Sequence, residues 1–229
     1  MGENADSAVD REALQVDPLP ENLSGGSTVL VASAGDPSQY AVGLRILCAQ
    51  GTAEDTAFVI TTTESADRTI EVYDTLGVDS ERPSLGIVDT VSVQQSVSAL
   101  YDEIPVVFTP SAGDLERLVM ALSNLVDTSP PTKGARHLVV RSLTPILAAS
   151  SVDQLSTVLD RITGLRSETG LALLGIDYTA HDEETMTAMA ELVDGVLWVT
   201  QPDPDRLAFD YQPTRTRQGE FALGGDAGD

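Results

Sequence analysis

The feature that most constrains this chain is an alternation of short, continuously apolar runs with amphipathic segments. Thr28–Ala32 (TVLVA), Ala57–Thr62 (AFVITT), Leu85–Val91 (LGIVDTV), His137–Arg141 (HLVVR), Leu171–Ile176 (LALLGI) and Gly195–Thr200 (GVLWVT) read as buried strands, rich in aliphatic and β-branched residues. Strands that are apolar on both faces must be covered on both faces, which predicts a mainly parallel sheet between two layers of helices. The covering segments follow. Ser65–Leu76 places Ile70, Tyr73 and Leu76 on one face, with Ser65 as cap and Gly77 as stop. Asp114–Val126 aligns Leu115, Leu118, Leu122 and Leu125. Val152–Thr163 opens at Ser151 or Asp153, with a possible extension to Ser167, and Asp182–Leu192 carries acidic residues in its first turn. Val93–Tyr101 reads as a short helix and Val106–Phe108 as a short extended piece. Gln201–Asp205 is a Pro/Asp turn, so Gly195–Thr200 and Arg206–Gln212 are expected to form a C-terminal antiparallel hairpin.

A length of 229 residues fits one α/β domain with a sizeable core, here placed at residues 27–212. Residues 1–26 read as an acidic N-terminal arm that Leu19 and Leu23 tack onto the domain, and residues 213–229 as a flexible tail. No run approaches 18 apolar residues and no signal-peptide core is evident, so a soluble cytoplasmic protein without membrane insertion is expected. Cys48 is the single cysteine, which excludes an intramolecular disulfide and a cysteine-cluster metal site; its place in the first helix suits a small buried side chain.

The stretch Thr28–Leu47 (TVLVASAGDPSQYAVGLRIL) is a strand, a small-residue loop broken by Ala34-Gly35-Asp36-Pro37, and a helix on which Ala41, Leu44, Ile46 and Leu47 recur. Such an arrangement holds phosphate where helix N-terminal amides point at the anion. The pattern G-x-x-x-x-G-K-[ST] can be laid over Ser33–Tyr40 without a gap, yet it fails at every position that carries chemistry. Ser33 and Ser38 stand for the glycines, Gln39 for the lysine and Tyr40 for the hydroxyl residue that binds magnesium. Backbone amides at Ser38–Tyr40 could still hold an anion, with Ser33 and Gly35 completing the candidate loop, but Asp36 would repel it.

The order of the pieces resembles the RecA-like ATPases of the KaiC type, and within them a degenerate haloarchaeal KaiC-like branch. The likeness runs from Leu23 to Gln212. It is carried by VLVASAGDPSQYAVGLRIL, FVITTTESADRTIEVYDTLGVD, GIVDTV, TPSAGDLERLVMALSNLV, HLVVRSLTPIL and VDGVLWV in family order. The resemblance implies a three-layer RecA-like fold with ATP as cofactor. It implies an acidic pair after the second strand, where this chain has Thr63 and Glu64, and a magnesium-holding aspartate after the fourth, where it has Arg141 before Ser142. Mg²⁺ takes carboxylate and water ligands, and a cation in that slot opposes it. Phosphoryl transfer depends on lysine, hydroxyl, metal and a water-orienting group, of which only Glu64 survives in register. Lys133, the only lysine, falls in a loop before the fourth strand.

The leading expectation is therefore a non-catalytic regulatory or scaffold protein with no catalytic residue, metal or cofactor, acting on a protein partner or on its own copies. KaiC-like proteins commonly form rings, with nucleotide between neighbours. The alternative is a nucleotide-binding KaiC-like signalling ATPase with atypical motifs. A third reading is an enzyme that uses Glu64, Asp89, Arg141 and His181. Arg141 either contacts an anion or forms a structural ion pair with Glu64 or Asp36, since an unpaired charge there is costly. His181, within Thr179–Glu184, belongs either to a His/carboxylate site or to a helix N-terminus capped by Thr179 or Asp182. His137 reads as a packed or edge histidine, Asp89 as a turn or cap, and Trp198 as a packing residue. Ser33 and Ser142 lack a His/Asp partner by spacing.

The chain carries 36 acidic against 13 basic residues, a formal net charge of -23, spread along its length. Non-specific nucleic-acid binding, which rests on phosphate neutralisation by Lys and Arg, is thereby disfavoured. Spread acidity with one lysine looks like a protein from a salt-accumulating organism; an acidic partner-binding role would concentrate the charge in blocks. The screening length shrinks from about 10 Å at 0.1 M salt to about 3 Å at 1 M, so salt suppresses the self-repulsion. Dilution into low salt is expected to loosen the protein. Circular dichroism checks this, and identical spectra in low and molar salt would refute it.

Overall fold

The structure is a computed structural model that describes residues 15–20, 23, 25–76, 81–92, 98–101 and 104–214. Its strands are β1 (Gln15–Val16), β2 (Thr28–Ser33), β3 (Thr56–Thr61), β4 (Ser84–Asp89), β5 (Ser98–Tyr101), β6 (Ile104–Phe108), β7 (Arg136–Val140), β8 (Ala172–Asp177), β9 (Gly195–Asp203) and β10 (Arg206–Pro213). The helices are α1 (Val42–Gln50), α2 (Ala66–Leu76), α3 (Leu115–Thr128), α4 (Thr144–Ala149), α5 (Val152–Thr163) and α6 (Glu183–Glu191). Among the described residues the strands form one sheet in the order β1-β10-β9-β2-β8-β7-β3-β4-β6-β5. From β9 to β6 every pairing is parallel; β10 on β9 and β5 on β6 are antiparallel.

The period of two along each strand divides the core. Leu30, Ala32, Phe58, Ile60, Leu138, Val140, Leu174 and Ile176 face one layer, where Leu118, Leu122 and Leu125 of α3, Ile146 of α4, Leu155 and Leu159 of α5 and Met189 of α6 cover them. Val29, Val31, Val59, Val139, Leu173 and Leu197 face the other, under Leu44, Ile46 and Leu47 of α1 and Ile70 and Tyr73 of α2. Nearly all of these side chains are fully buried. This three-layer architecture, with its C-terminal hairpin, is the one the apolar strands predict. At α5, Ser151 Oγ accepts the Gln154 N–H (3.2 Å) and Gln154 Oε1 accepts the Ser151 N–H (3.0 Å), a reciprocal cap.

Two readings need correction. Ser98–Tyr101 is a strand, antiparallel to β6, rather than helix; residues 93–97 of that expected helix lie outside the described residues. β9 continues through Gln201 to Asp203, so the hairpin turn shrinks to Pro204–Asp205. α5 spans Val152–Thr163, the expected bounds, without the extension to Ser167. Thr144–Ala149, passed over in the sequence, is a short helix with Pro145 in its first turn. Of the N-terminal arm, Gln15–Val16 pair with Arg206–Leu207 at the sheet edge, Asp17 forms a bidentate ion pair with Arg206, and Leu23 is buried.

At the amino edge, Asp55 accepts the N–H groups of Thr52 and Ala135 and faces His137. Burial would raise the Asp55 carboxyl, but these hydrogen bonds outweigh it and hold it below the usual range. His137 Nδ1 accepts the Leu171 N–H at 3.0 Å, so the ring proton sits on Nε2, 3.5 Å from Asp55 Oδ2. Burial pushes the His137 pKa down, against a smaller upward pull from Asp55. The unfolded chain therefore takes up a proton on His137 at a higher pH than the folded protein. That contribution to stability is present above about pH 6.5 and is lost as pH falls below it. Asp55 adds a second loss below about pH 4, because its folded pKa lies under its unfolded one. Denaturant midpoints are expected to fall between about pH 7 and pH 5, and His137→Gln to flatten that slope. Equal slopes in the two proteins would assign the effect to another group.

Candidate functional site

The sheet order brings four strand ends together at the carboxyl edge, where folds of this kind bind ligands. β2 ends at Ser33, in register with Asp177 at the end of β8. β7 lies next, leading into Arg141, and β3 follows, leading into Thr62–Glu64. Gly175 of β8 is needed for this closeness: a Cβ there would lie 2.2 Å from the Arg141 carbonyl oxygen.

The loop between β2 and α1 is closed on itself. Gly35 takes a positive φ of 80°, open to glycine at little cost, and its N–H donates to Asp177 Oδ1 (2.9 Å). The buried Ser33 hydroxyl donates to the Gly35 carbonyl (3.2 Å). Asp36 Oδ1 accepts the Ser38 N–H (2.9 Å), and the Asp36 carbonyl accepts the Gln39 N–H (3.0 Å). Two of the amides expected to cradle an anion are thus spent within the loop. The Ala41 N–H donates to the Ser38 carbonyl, with Ala41 in the left-handed region (φ 49°, ψ 35°), a conformation that costs an L-residue about 1–2 kcal/mol. α1 starts only at Val42, beyond the loop. Tyr40 turns away to β9, its hydroxyl donating to Gln201 Oε1 (2.7 Å).

Arg141 fills the centre of the edge. Its side chain is 3% exposed and pairs with Glu64, Nη2 to Oε2, at 2.7 Å. Nη2 also donates to the Ser38 carbonyl (3.0 Å), and Nη1 to the Thr69 hydroxyl on α2 (2.9 Å). Burial pulls the Arg141 pKa down, against the opposing pull of Glu64 and, at longer range, Asp36. Ser38 Oγ and Thr63 Oγ1 share a hydrogen bond (2.8 Å), and Thr63 Oγ1 lies 3.5 Å from Asp36 Oδ1. The expected ion pair between Arg141 and Glu64 is formed, and it draws the loop carbonyl onto the cation. Beneath the loop, Val31, Pro37, Gly43, Val139, Arg141 and Gly175 enclose a cavity of about 10 Å³, room for a single water.

The other candidates have structural partners. Asp89 is fully buried; its carboxylate accepts the Ala66, Val91 and Ser92 N–H groups and the Ser92 hydroxyl, capping α2 from a neighbouring strand. Burial would raise Asp89, and these bonds hold it low. Asp182, not Thr179, caps α6 through the Thr185 N–H (2.9 Å). His181 Nε2 meets the Thr144 hydroxyl at 3.2 Å, and that hydroxyl accepts the Asp177 N–H. The Ser142 carbonyl accepts the Thr62 hydroxyl. Trp198 stacks edge-on against Tyr178. Lys133 lies on the opposite, amino edge of the sheet, lining a cleft of about 440 Å³ with Thr56, Ser84 and Pro105. Asp177 and Thr69 went unremarked in the sequence; the strand-end position of Asp177 was the one signal available for it.

A magnesium ion does not fit this edge, because the position for its aspartate carries the Arg141 guanidinium. Among the described residues no group of three or more His, Cys, Asp or Glu could hold a metal ion, and no helix is long and apolar enough to cross a membrane. Removing one partner of a buried pair strands the other, at about 3–5 kcal/mol. Glu64→Ala, which strands the 3% exposed guanidinium, is therefore expected to lower unfolding free energy by about that amount in chemical denaturation, and the ion pair contributes less to the loss in Arg141→Ala, because the Glu64 carboxylate left behind is 25% exposed and rehydrates. A loss under about 1 kcal/mol for Glu64→Ala, the level of an exposed pair, would show that the pair does not anchor the edge.

The three-layer architecture recurs among solved structures. The flagellar accessory protein FlaH from Methanocaldococcus jannaschii matches with a TM-score of 0.51 at 11% identity, over 83% of this chain and 78% of that one. The KaiC-like protein PH0186 from Pyrococcus horikoshii OT3 matches at 0.47 and 16% identity, over 87% and 84%. PH0250 of the same organism matches at 0.47 and 13%, over 81% and 86%. These likenesses are of fold. No curated protein matches the chain. A family of unknown function, DUF7504, matches residues 26–199, and the chain belongs to it.

Proposed function

We propose that this chain is a non-catalytic RecA/KaiC-like regulatory or scaffold protein of a haloarchaeal cytoplasm, working through a protein partner or its own copies. The observation that carries the reading is Arg141, buried in the metal position and tied to Glu64 and the Ser38 carbonyl. Productive phosphoryl transfer needs cations and amides aimed at phosphate. Here the loop after β2 aims the Ser38 carbonyl at the Arg141 guanidinium, the Glu64 carboxylate pairs with it from the bend after β3, and Asp36 acts on it at longer range. The haloarchaeal setting rests on the charge of -23 and the single lysine. With chemistry gone from the edge, the intact three-layer body is left as a rigid surface for assembly.

Thermal denaturation in molar salt tests this directly. A ligand that binds the native state raises stability by RT ln(1 + [L]/Kd), about 2.7 kcal/mol at a hundredfold excess over Kd. Millimolar Mg-ATP and Mg-ADP are expected to leave the melting temperature unchanged, and no phosphate release is expected. A clear rise with either nucleotide would instead favour the signalling-ATPase reading. Light scattering across protein concentration reads self-association.

A further inference from the structure

The Arg141 pocket combines a buried cation with a removable anion. Arg141 is almost fully enclosed, whereas Glu64 reaches it from a bend that is partly open to solvent. Arg68 on α2 is close enough to act electrostatically on Arg141, although it is itself paired with Glu71 at 2.9 Å, and the N-terminus of α2 beside Glu64 is already capped by Asp89. Two hydroxyls beside the pocket, Ser38 Oγ and Thr63 Oγ1, bond to each other at 2.8 Å and would have to exchange that bond to donate to an anion. Against these stands Asp36, which favours an anion of low charge. Arginine pairs planar carboxylates and tetrahedral oxyanions through the same fork of donors.

We propose that Glu64 is the resident occupant of an oxyanion site, and that a phosphate-class oxyanion takes its place on Arg141 when Glu64 swings outward. The inference rests on the closed-edge reading above and deepens it: the metal position has become an anion position guarded by the chain's own carboxylate. Exchange keeps the guanidinium paired throughout, which a simple opening of the loop would not. The intramolecular carboxylate lowers the apparent affinity for the external anion, because only the fraction of molecules with Glu64 displaced can bind.

The test is a titration of full-length wild type, Glu64→Ala, Glu64→Gln and the double variant Glu64→Ala/Arg141→Met with inorganic phosphate, at constant ionic strength, by calorimetry and thermal shift. Removing the carboxylate is expected to tighten phosphate by about tenfold or more over wild type, with a matching rise in melting temperature, and the double variant to lose the effect. Glu64→Gln keeps the side-chain shape and serves if Glu64→Ala does not fold. Metal-free ADP forms a second arm. Binding tighter than phosphate assigns the anion to a nucleotide, and equal or weaker binding assigns it to the free ion. Affinities no tighter in either Glu64 variant than in wild type overturn the proposal. Stabilisation of wild type by Mg-nucleotide would instead overturn the pseudo-ATPase reading, so the two failures are distinct.

Discussion

A guanidinium taken out of water must have its N–H groups paired, and at Arg141 this requirement organises the whole carboxyl edge. Its partners come from three elements: the Ser38 carbonyl from the loop after β2, Glu64 from the bend after β3, and Thr69 from α2. An unpaired charge in this position would cost several kcal/mol, so each partner is held where Arg141 needs it. The loop shows the consequence. An anion-binding loop turns its amides inward; this one turns a carbonyl inward and folds the Ser38 and Gln39 amides back onto Asp36. One side chain thus sets the polarity of the edge.

The neighbouring carboxylates obey the complementary rule. Asp89 and Asp177 are held low in pKa because hydrogen bonds to the ionised form outweigh the burial that would raise them. Asp89 fixes the start of α2, which carries Thr69 to Arg141. Asp177 fixes Gly35, which sets the turn that brings Ser38 back to the same guanidinium. Cation and carboxylates therefore form one connected arrangement rather than separate contacts, and their effects on stability should be non-additive.

The layers were legible because each central strand carries a run of apolar residues that face both layers, and Leu118, Leu122 and Leu125 repeat at helical spacing. Legibility failed where that signal thins. Ser98–Tyr101 is a four-residue edge strand, too short for its period to separate strand from helix. Gln201–Asp203 is polar and exposed because it extends past the body of the sheet, so it reads as turn. Thr144–Ala149 is too short to show a helical stripe. At the site, Arg141 and Glu64 could be paired from their strand ends alone. Thr69 and Asp177 could not, because their approach depends on the order β2-β8-β7-β3, which no local pattern encodes. Likewise the inward turn of the Ser38 carbonyl follows from backbone geometry at Gly35 and Ala41, and the alanine gives no hint of a left-handed conformation.

Why such a change leaves the fold intact follows from where its residues lie. Both apolar layers close over the middle of the strands, at positions such as Leu30, Val59, Val139 and Leu174, and none of them needs the loop or a ligand to be buried. The carboxyl edge lies outside those layers, so its chemistry can be rewritten provided each buried charge still finds a partner. A lysine, a metal and a nucleotide phosphate would form one such balanced set. Arg141 with Glu64, Ser38 and Thr69 forms another, built wholly from this chain. Of that second set only Glu64 has both a charge and a route to solvent.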